Sequence, residues 1–185
     1  MKFEEIKGIK LNENGLLDIP QHIKSIRFDI GLSWCAGNSA IWLKQSHDIF
    51  VIGVEPNEFS VNKIKKEGMH TREVYVSYPN ENYMLLQCAL DDVDDITEKD
   101  FYAMKGDVGC SSLLKPTNSL NNKFGYDVEE IYKVITLPFR LILERIPFDR
   151  FEYIELVKID AQGKDLDIVK SAGKFLEKIV YLNAE

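Results

Sequence analysis

The sequence predicts an α/β protein with a doubly wound, mostly parallel sheet. Short apolar runs rich in β-branched residues alternate with segments of helical periodicity, which is typical of strand–helix–strand units. Three of these runs carry a carboxylate at their carboxyl end, namely Asp29, Glu55 and Asp160. Parallel strands joined by helical crossovers bind their ligands at that end of the sheet. We therefore expect the functional site to lie at these three carboxylates.

The predicted elements follow one another along the whole chain. The strands are predicted at residues 25–30, 49–55, 83–90, 153–160 and 179–183, and the helices at 38–45, 57–67, 137–145 and 164–171. The acidic run 91–95 is expected to be a solvated loop. Residues 1–18 form an N-terminal extension, and residues 96–136, which contain several turn signals, are predicted to be an irregular insertion. With 185 residues, 45% of them hydrophobic, the chain has enough apolar residues for one substantial core, so a single domain over residues 1–185 is expected.

Composition excludes several classes of function. A formal net charge of -7 disfavours binding to nucleic acid or to an anionic membrane, because both need clustered Lys and Arg. The three cysteines, Cys35, Cys88 and Cys110, are too scattered for a disulfide framework and lack the spacing of metal ligands. No apolar run approaches the roughly 20 residues of a membrane span. We therefore expect a cytoplasmic protein without a metal site.

The glycines and acids after the first two strands indicate a cofactor that contains ribose. Asp29-Ile30-Gly31 begins a turn that also contains Gly37, and glycines there let a ligand approach the backbone. The spacing differs from GxGxxG, which disfavours a dinucleotide. Glu55 ends the second strand, outside the expected core, where an acid accepts hydrogen bonds from both ribose hydroxyls. The alternative is that Asp29 caps a helix and Glu55 pairs with a surface lysine.

Four segments resemble successive motifs of the FkbM-type methyltransferases. They are FDIGLSWCAGNS, IGVEPN, QCAL and VKIDAQGKDLDIVKSAG, and the resemblance covers roughly residues 19–185. It implies a Rossmann-like sheet of the class I methyltransferase type, S-adenosylmethionine as cofactor, and methyl transfer to a hydroxyl of a small molecule or sugar. The chain departs from the family pattern in residues 33–36 of the glycine loop and at Gln162 and Asp165, where the family has acidic Glu.

The resemblance also implies roles for individual residues. Asp29, Gly31 and Gly37 would surround the methionine portion of the cofactor, Glu55 the ribose, and Ala89-Leu90 the edge of the adenine. The full set of cofactor residues implied in this way is Asp29, Gly31, Ser33, Gly37, Asn38, Glu55, Pro56, Ala89 and Leu90. Ser111-Ser112-Leu113 resembles a family element that faces the acceptor, although a plain turn explains it equally well.

Lys158 and Asp160 are the candidate catalytic pair. Residues at i and i+2 on a strand point to the same face, so the two side chains are expected to lie together. A lysine in the apolar run LVKI needs an acid nearby, which Asp29 or Glu185 on neighbouring strands would supply. Asp160 is the candidate general base for a hydroxyl acceptor. For Lys158 a structural ion pair and a role in deprotonating the acceptor are equally supported.

Two rival classes and one question of architecture remain. A nicotinamide-dependent oxidoreductase is disfavoured by the glycine spacing, whereas a non-catalytic nucleotide-binding module with a degenerate methyltransferase fold is favoured by Gln162. Sheets of the resembling family usually add two more strands, so this sheet is either minimal or shortened. The edge beside the last predicted strand then needs cover, and a homodimer would supply it.

Overall fold

The computed structural model describes residues 2–117 and 127–185 and has an α/β fold. Its strands are β1 (Ser25–Ile30), β2 (Ile49–Val54), β3 (Met69–His70), β4 (Tyr75–Val76), β5 (Tyr83–Leu86), β6 (Ala89–Leu90), β7 (Thr97–Met104), β8 (Val128–Leu137), β9 (Ile154–Ile159) and β10 (Ile179–Ala184). Its helices are α1 (Gly37–Gln45), α2 (Glu58–Glu67), α3 (Phe139–Leu143) and α4 (Asp165–Ser171), and short 3-10 turns occur at Phe3–Glu5, Val108–Cys110 and Gly173–Lys178.

The central sheet confirms the predicted fold class. Its five strands lie in the order β10-β9-β1-β2-β5, and every neighbouring pair is parallel. β1 occupies the middle, with Asp29 beside Gly53 of β2 on one side and Lys158 of β9 on the other. The next strands in the chain, β2 and β5, lie on one side of β1, whereas the later strands β9 and β10 lie on the other side. Such a switch in strand order opens a crevice at the carboxyl ends of the strands, which is where an α/β sheet binds its ligand.

One predicted strand, residues 83–90, is divided between two sheets. β5 ends at Leu86 in the central sheet, and β6 begins at Ala89 in a second, three-stranded sheet of order β6-β8-β7. Both halves are buried. Because a continuous apolar run looks the same whether or not it changes sheets, the sequence pattern could not show the break.

The prediction of an irregular insertion at residues 96–136 was wrong for residues 97–104 and 128–136, and its residues 118–126 lie outside the described part of the chain. β7 and β8 form a long antiparallel pair, which joins Thr97 to Thr136 and Met104 to Val128. Three of the eight residues of β7 are exposed, three are partly buried, and only Phe101 and Met104 are buried. Its first four residues, Thr97–Asp100, are all polar, so the strand lacks the alternating apolar pattern that identifies strands in a sequence. The predicted helix at 137–145 is correspondingly shorter, since Leu137 ends β8.

Apolar side chains cover both faces of the central sheet. On one face Phe28 of β1 packs edge-to-face on Phe139 of α3, with ring centroids 5.0 Å apart. On the other face α1 and α2 contribute Trp42 and Ile64, which pack against Val51 of β2. Burial of this kind on two faces is what the near-continuous apolar runs predict for parallel strands.

The N-terminal extension is packed into this core. Phe3, Ile6 and Leu17 are buried among the side chains that cover the first face of the sheet. Gly8 lies so close to β5 that a Cβ atom there would be 1.8 Å from the carbonyl oxygen of Leu85, and its φ is +92°. Only glycine fits such a contact.

Within the described residues, no helix is both long and apolar enough to cross a membrane.

Candidate functional site

A cavity of about 230 Å³ opens at the carboxyl ends of the central strands. The ends of β1, β2 and β9 form one side, and β6, Phe101 of β7 and the segment 107–113 form the other. The candidate base Asp160 lines this cavity. So do six of the nine predicted cofactor residues, which are Gly31, Ser33, Glu55, Pro56, Ala89 and Leu90.

Glu55 is buried, which corrects the expectation that it lies outside the core. Its residue is 6% exposed, and each carboxylate oxygen accepts one backbone hydrogen bond: Oε2 from Ser33 N at 3.0 Å and Oε1 from Asn57 N at 2.8 Å. Burial raises the pKa of Glu55 to about 7, although the two backbone donors and Lys158 oppose the rise. Each oxygen keeps a further lone pair for a donor in the cavity.

Asp29 lies behind the cavity and holds the start of α1. It is 1% exposed, and its Oδ2 accepts hydrogen bonds from Ser39 N at 3.1 Å and Ser39 Oγ at 2.7 Å. Burial raises the pKa of Asp29, opposed by Lys158 and Ser39. Asp29 therefore acts as a helix cap, which was the alternative interpretation of this residue.

Lys158 and Asp160 lie together, as the strand periodicity predicted. Lys158 Nζ is 3.6 Å from Asp160 Oδ2 and 3.6 Å from Asp29 Oδ1, and it donates a hydrogen bond to the carbonyl oxygen of Gly31 at 3.0 Å. Of the two acids expected to face it, Asp29 is the partner seen in the described structure. Lys158 thus links β9 to β1 directly beneath the cavity.

The other two predicted cofactor residues, Gly37 and Asn38, begin α1 away from the described cavity lining. A Cβ atom on Gly37 would lie 3.4 Å from Thr71 Cγ2, so this glycine allows close packing between α1 and a neighbouring loop. In the residues before it, Ser33 and Ala36 have left-handed φ values of 56° and 45°. The turn after β1 therefore uses the left-handed region at Ser33 and Ala36 as well as at Gly31, whose φ is 70°.

Sequence reasoning missed the far wall of the cavity. Phe101 and Lys164 line it, as does the whole segment 107–113. Ser112 Oγ donates to the carbonyl oxygen of Gln162 at 2.9 Å, and Gln162 Nε2 donates to Asp160 Oδ1 at 2.8 Å. Ser111-Ser112-Leu113 was the one sequence signal for this wall. The side chain of Ser112 joins the wall to the turn that follows Asp160.

Asp91 corrects the prediction of a solvated acidic loop. It is 1% exposed, and its oxygens lie 2.7 Å from Lys99 Nζ and 3.0 Å from Lys164 Nζ. Burial alone would raise the pKa of Asp91, but the two ammonium groups outweigh it and hold the pKa below its usual value. Asp91 thereby ties β7 to the start of α4 beside the cavity.

Comparison with known proteins assigns the chain to a family. Residues 36–184 match the model of the methyltransferase FkbM domain. The chain matches no curated protein and no solved structure. The matched segment spans most of the chain. It includes α1, four of the five strands of the central sheet (all except β1) and nearly all of the residues that line the cavity. The chain therefore belongs to the FkbM methyltransferase family.

Proposed function

We propose that this chain is an S-adenosylmethionine-dependent methyltransferase whose acceptor is a hydroxyl group of a small molecule or sugar. The observation that carries the proposal is Glu55, a buried carboxylate that faces a cavity at the switch point of the sheet. An ionised carboxylate is costly to bury unless donors satisfy it. Two backbone groups supply part of that need, and ribose hydroxyls would supply the rest.

The remaining lining fits the same cofactor. Ala89, Leu90 and Phe101 offer an apolar surface for a purine ring. Ser33 and Gly31 bring backbone close to the cavity on the opposite side, where a methionine portion would lie. When bound, S-adenosylmethionine supplies an electrophilic methyl group on a positively charged sulfur. The carboxylate of Asp160, which lines the cavity, favours a cation in this position.

Asp160 and its neighbours perform the protein's part of the transfer. Asp160 would accept the hydroxyl proton of the acceptor as the methyl group of the cofactor is transferred to that oxygen. Lys158 Nζ lies 3.6 Å from Asp160 Oδ2, and Gln162 orients the carboxylate through the bond to Oδ1. Most of the acceleration of such a displacement comes from positioning, and the base adds a smaller factor.

The proposal places the reaction in the cytoplasm. Cys35, Cys88 and Cys110 are all free thiols. Free cysteines are typical of a reducing compartment. The net charge of -7 also agrees with a small-molecule acceptor rather than a nucleic acid.

Calorimetric titration with S-adenosylhomocysteine tests the proposal. A hydrogen bond to a charged group is worth about 1.5–3 kcal/mol, so Glu55→Ala should weaken binding at least roughly tenfold. Glu58→Ala, an exposed acid in the first turn of α2, is the matched control and should bind like the parent. Thermal unfolding checks that each variant is folded. Preferential binding of NAD, or equal affinity of folded Glu55→Ala, would reject the cofactor assignment.

A further inference from the structure

The charged side chains among the described residues lining the cavity are three acids and one lysine. The acids are Glu55, Asp107 and Asp160, and the lysine is Lys164. An ion that enters the cavity therefore meets mainly carboxylates, unless Lys164 offers a free positive charge.

Lys164 does not offer a free charge, because two acids already hold it. Its Nζ lies 3.0 Å from Asp91 Oδ1 and 3.0 Å from Asp167 Oδ2. Burial would lower the pKa of Lys164, but these carboxylates outweigh burial and raise it. Lys158, the cation beneath the cavity, is likewise shared between Asp29 and Asp160.

Cys110 shares the cavity lining with Asp107 and Asp160. It lies in the 3-10 turn that Asp107 caps by accepting a hydrogen bond from Gly109 N at 3.0 Å. The pKa of the Cys110 thiol is raised by burial, then by Asp107 and by Asp160. The two carboxylates therefore act on the same small volume.

The same sign of charge continues outside the cavity. Val108 lines both the cavity and an adjoining groove between α2 and the β7–β8 pair. The acids of that groove are Glu58, Glu129 and Glu130, and its lysine, Lys133, is paired with Asp100 at 2.9 Å. The acids of this groove therefore add to the negative charge beside the cavity.

We propose that this cavity selects its acceptor by charge. Hydroxyl compounds that are uncharged or carry an amine near the reacting hydroxyl are accepted, those with a phosphate or carboxylate there are rejected, and Asp107 is the specificity-determining residue. The proposal rests on the methyltransferase function proposed above. Asp107 is suited to this role because it lines the cavity and takes part in none of the ion pairs among the described residues.

The native thiol of Cys110 allows a direct test on this chain. Its reaction rates with a cationic reagent, 2-(trimethylammonium)ethyl methanethiosulfonate, and an anionic one, 2-sulfonatoethyl methanethiosulfonate, are measured by peptide mass spectrometry. The rate with the cationic reagent is divided by the rate with the anionic reagent, and this ratio at Cys110 is divided by the same ratio for N-acetylcysteine amide. A value of at least roughly fivefold is expected, since a local negative field concentrates cations and repels anions. A value of one or less overturns the proposal.

Asp107→Asn is the diagnostic variant, because Asn keeps the oxygen that caps the 3-10 turn and removes only the charge. It should bring the ratio at Cys110 at least halfway back to that of the free thiol, while the exposed control Glu98→Gln leaves the ratio unchanged. A change in thiol pKa affects both reagents equally and cancels. If Asp107→Asn leaves the ratio unchanged, Asp107 is not the residue that sets it and the proposal fails.

S-adenosylhomocysteine titration on the same samples separates this inference from the proposed function. Absence of binding would reject the methyltransferase assignment, whereas the rate ratio reports the field in either case. Binding together with a ratio of one or less would reject charge selection alone. An acceptor methylated next to a phosphate or carboxylate would also overturn it.

Discussion

A single buried carboxylate of the cavity, Glu55, should make the stability of the protein depend on pH. The pKa of Glu55 rises from 4.5 to about 7 on folding, chiefly through burial. Below both pKa values the carboxyl is protonated in the folded and in the unfolded chain, so it adds no pH dependence to the free energy of unfolding. As the pH rises through this window the unfolded chain loses the proton first, so stability falls, and above the folded pKa the full cost persists.

Glu55→Gln should abolish this pH-dependent cost. The amide cannot ionise, so the free energy of unfolding of the variant relative to the parent should rise between pH 5 and pH 8 by on the order of 1–3 kcal/mol. Any stability that the variant loses because the amide NH₂ group lacks an acceptor is the same at both pH values, so it cancels from this difference. Urea unfolding at the two pH values measures the effect, with Glu58→Gln as the exposed control. A parallel pH dependence in Glu55→Gln and the parent would show that Glu55 titrates normally.

Asp160→Asn should separate catalysis from cofactor binding. The variant keeps the size of the side chain and loses the proton acceptor, and a general base typically contributes about 10²–10⁴-fold. With any acceptor that the parent methylates, we expect turnover to fall by at least roughly 10²-fold while S-adenosylhomocysteine affinity stays within a few fold. Asp94→Asn, in an exposed loop, is the control. Unchanged turnover would remove Asp160 from the mechanism.

At the scale of elements, periodicity identified the central sheet but not the second one. β1, β2 and β9 were predicted closely because parallel strands covered on both faces form apolar runs, and β10 was predicted because its sequence is apolar although most of its residues are exposed. β7 was missed because its first four residues, Thr97–Asp100, are polar and show no apolar alternation. Its contacts are made by residues such as Lys99, whose partner Asp91 was itself assigned to a solvated loop.

The same limit applied to the site. The strand-end positions of Glu55 and Asp160 follow from alternation of strands and helices, so the sequence could place them at one edge. The segment 107–113 reaches the cavity only through tertiary contacts, such as the bond from Ser112 to Gln162. No local pattern encodes a contact between residues so far apart in the chain.

Ser112→Ala should loosen that wall without unfolding the protein. Ser112 Oγ donates to Gln162 O at 2.9 Å and accepts from Leu114 N at 3.0 Å, and its residue is buried. Loss of bonds worth about 1 kcal/mol should raise amide exchange in segment 107–114 roughly fivefold. Hydrogen exchange with mass spectrometry measures this, with the exposed Ser77→Ala as control. Equal protection of the segment in Ser112→Ala and the parent would show that backbone contacts alone hold it.

At the scale of the whole molecule, the two ends of the central sheet differ. Beyond β5 the chain continues into the second sheet, and the N-terminal segment lies against β5 through the bond from Gln87 N to Lys7 O. At the other end β10 pairs only with β9 within the described part of the chain. Its Val180, Tyr181 and Leu182 are 50%, 65% and 43% exposed.

We expect this edge to mediate self-association. The free edge of a strand offers backbone donors and acceptors to a second copy. The successive exposed apolar residues of β10 also leave both of its faces available for burial against a partner. The protein should therefore sediment as a dimer at micromolar concentration. Tyr181→Lys should shift it to monomer, because a charge on an edge strand opposes pairing. Tyr75→Lys, at a residue 59% exposed in β4, adds the same charge elsewhere and should remain dimeric. Sedimentation of the parent as monomer at high concentration, or dissociation of both variants alike, would exclude β10 as the interface.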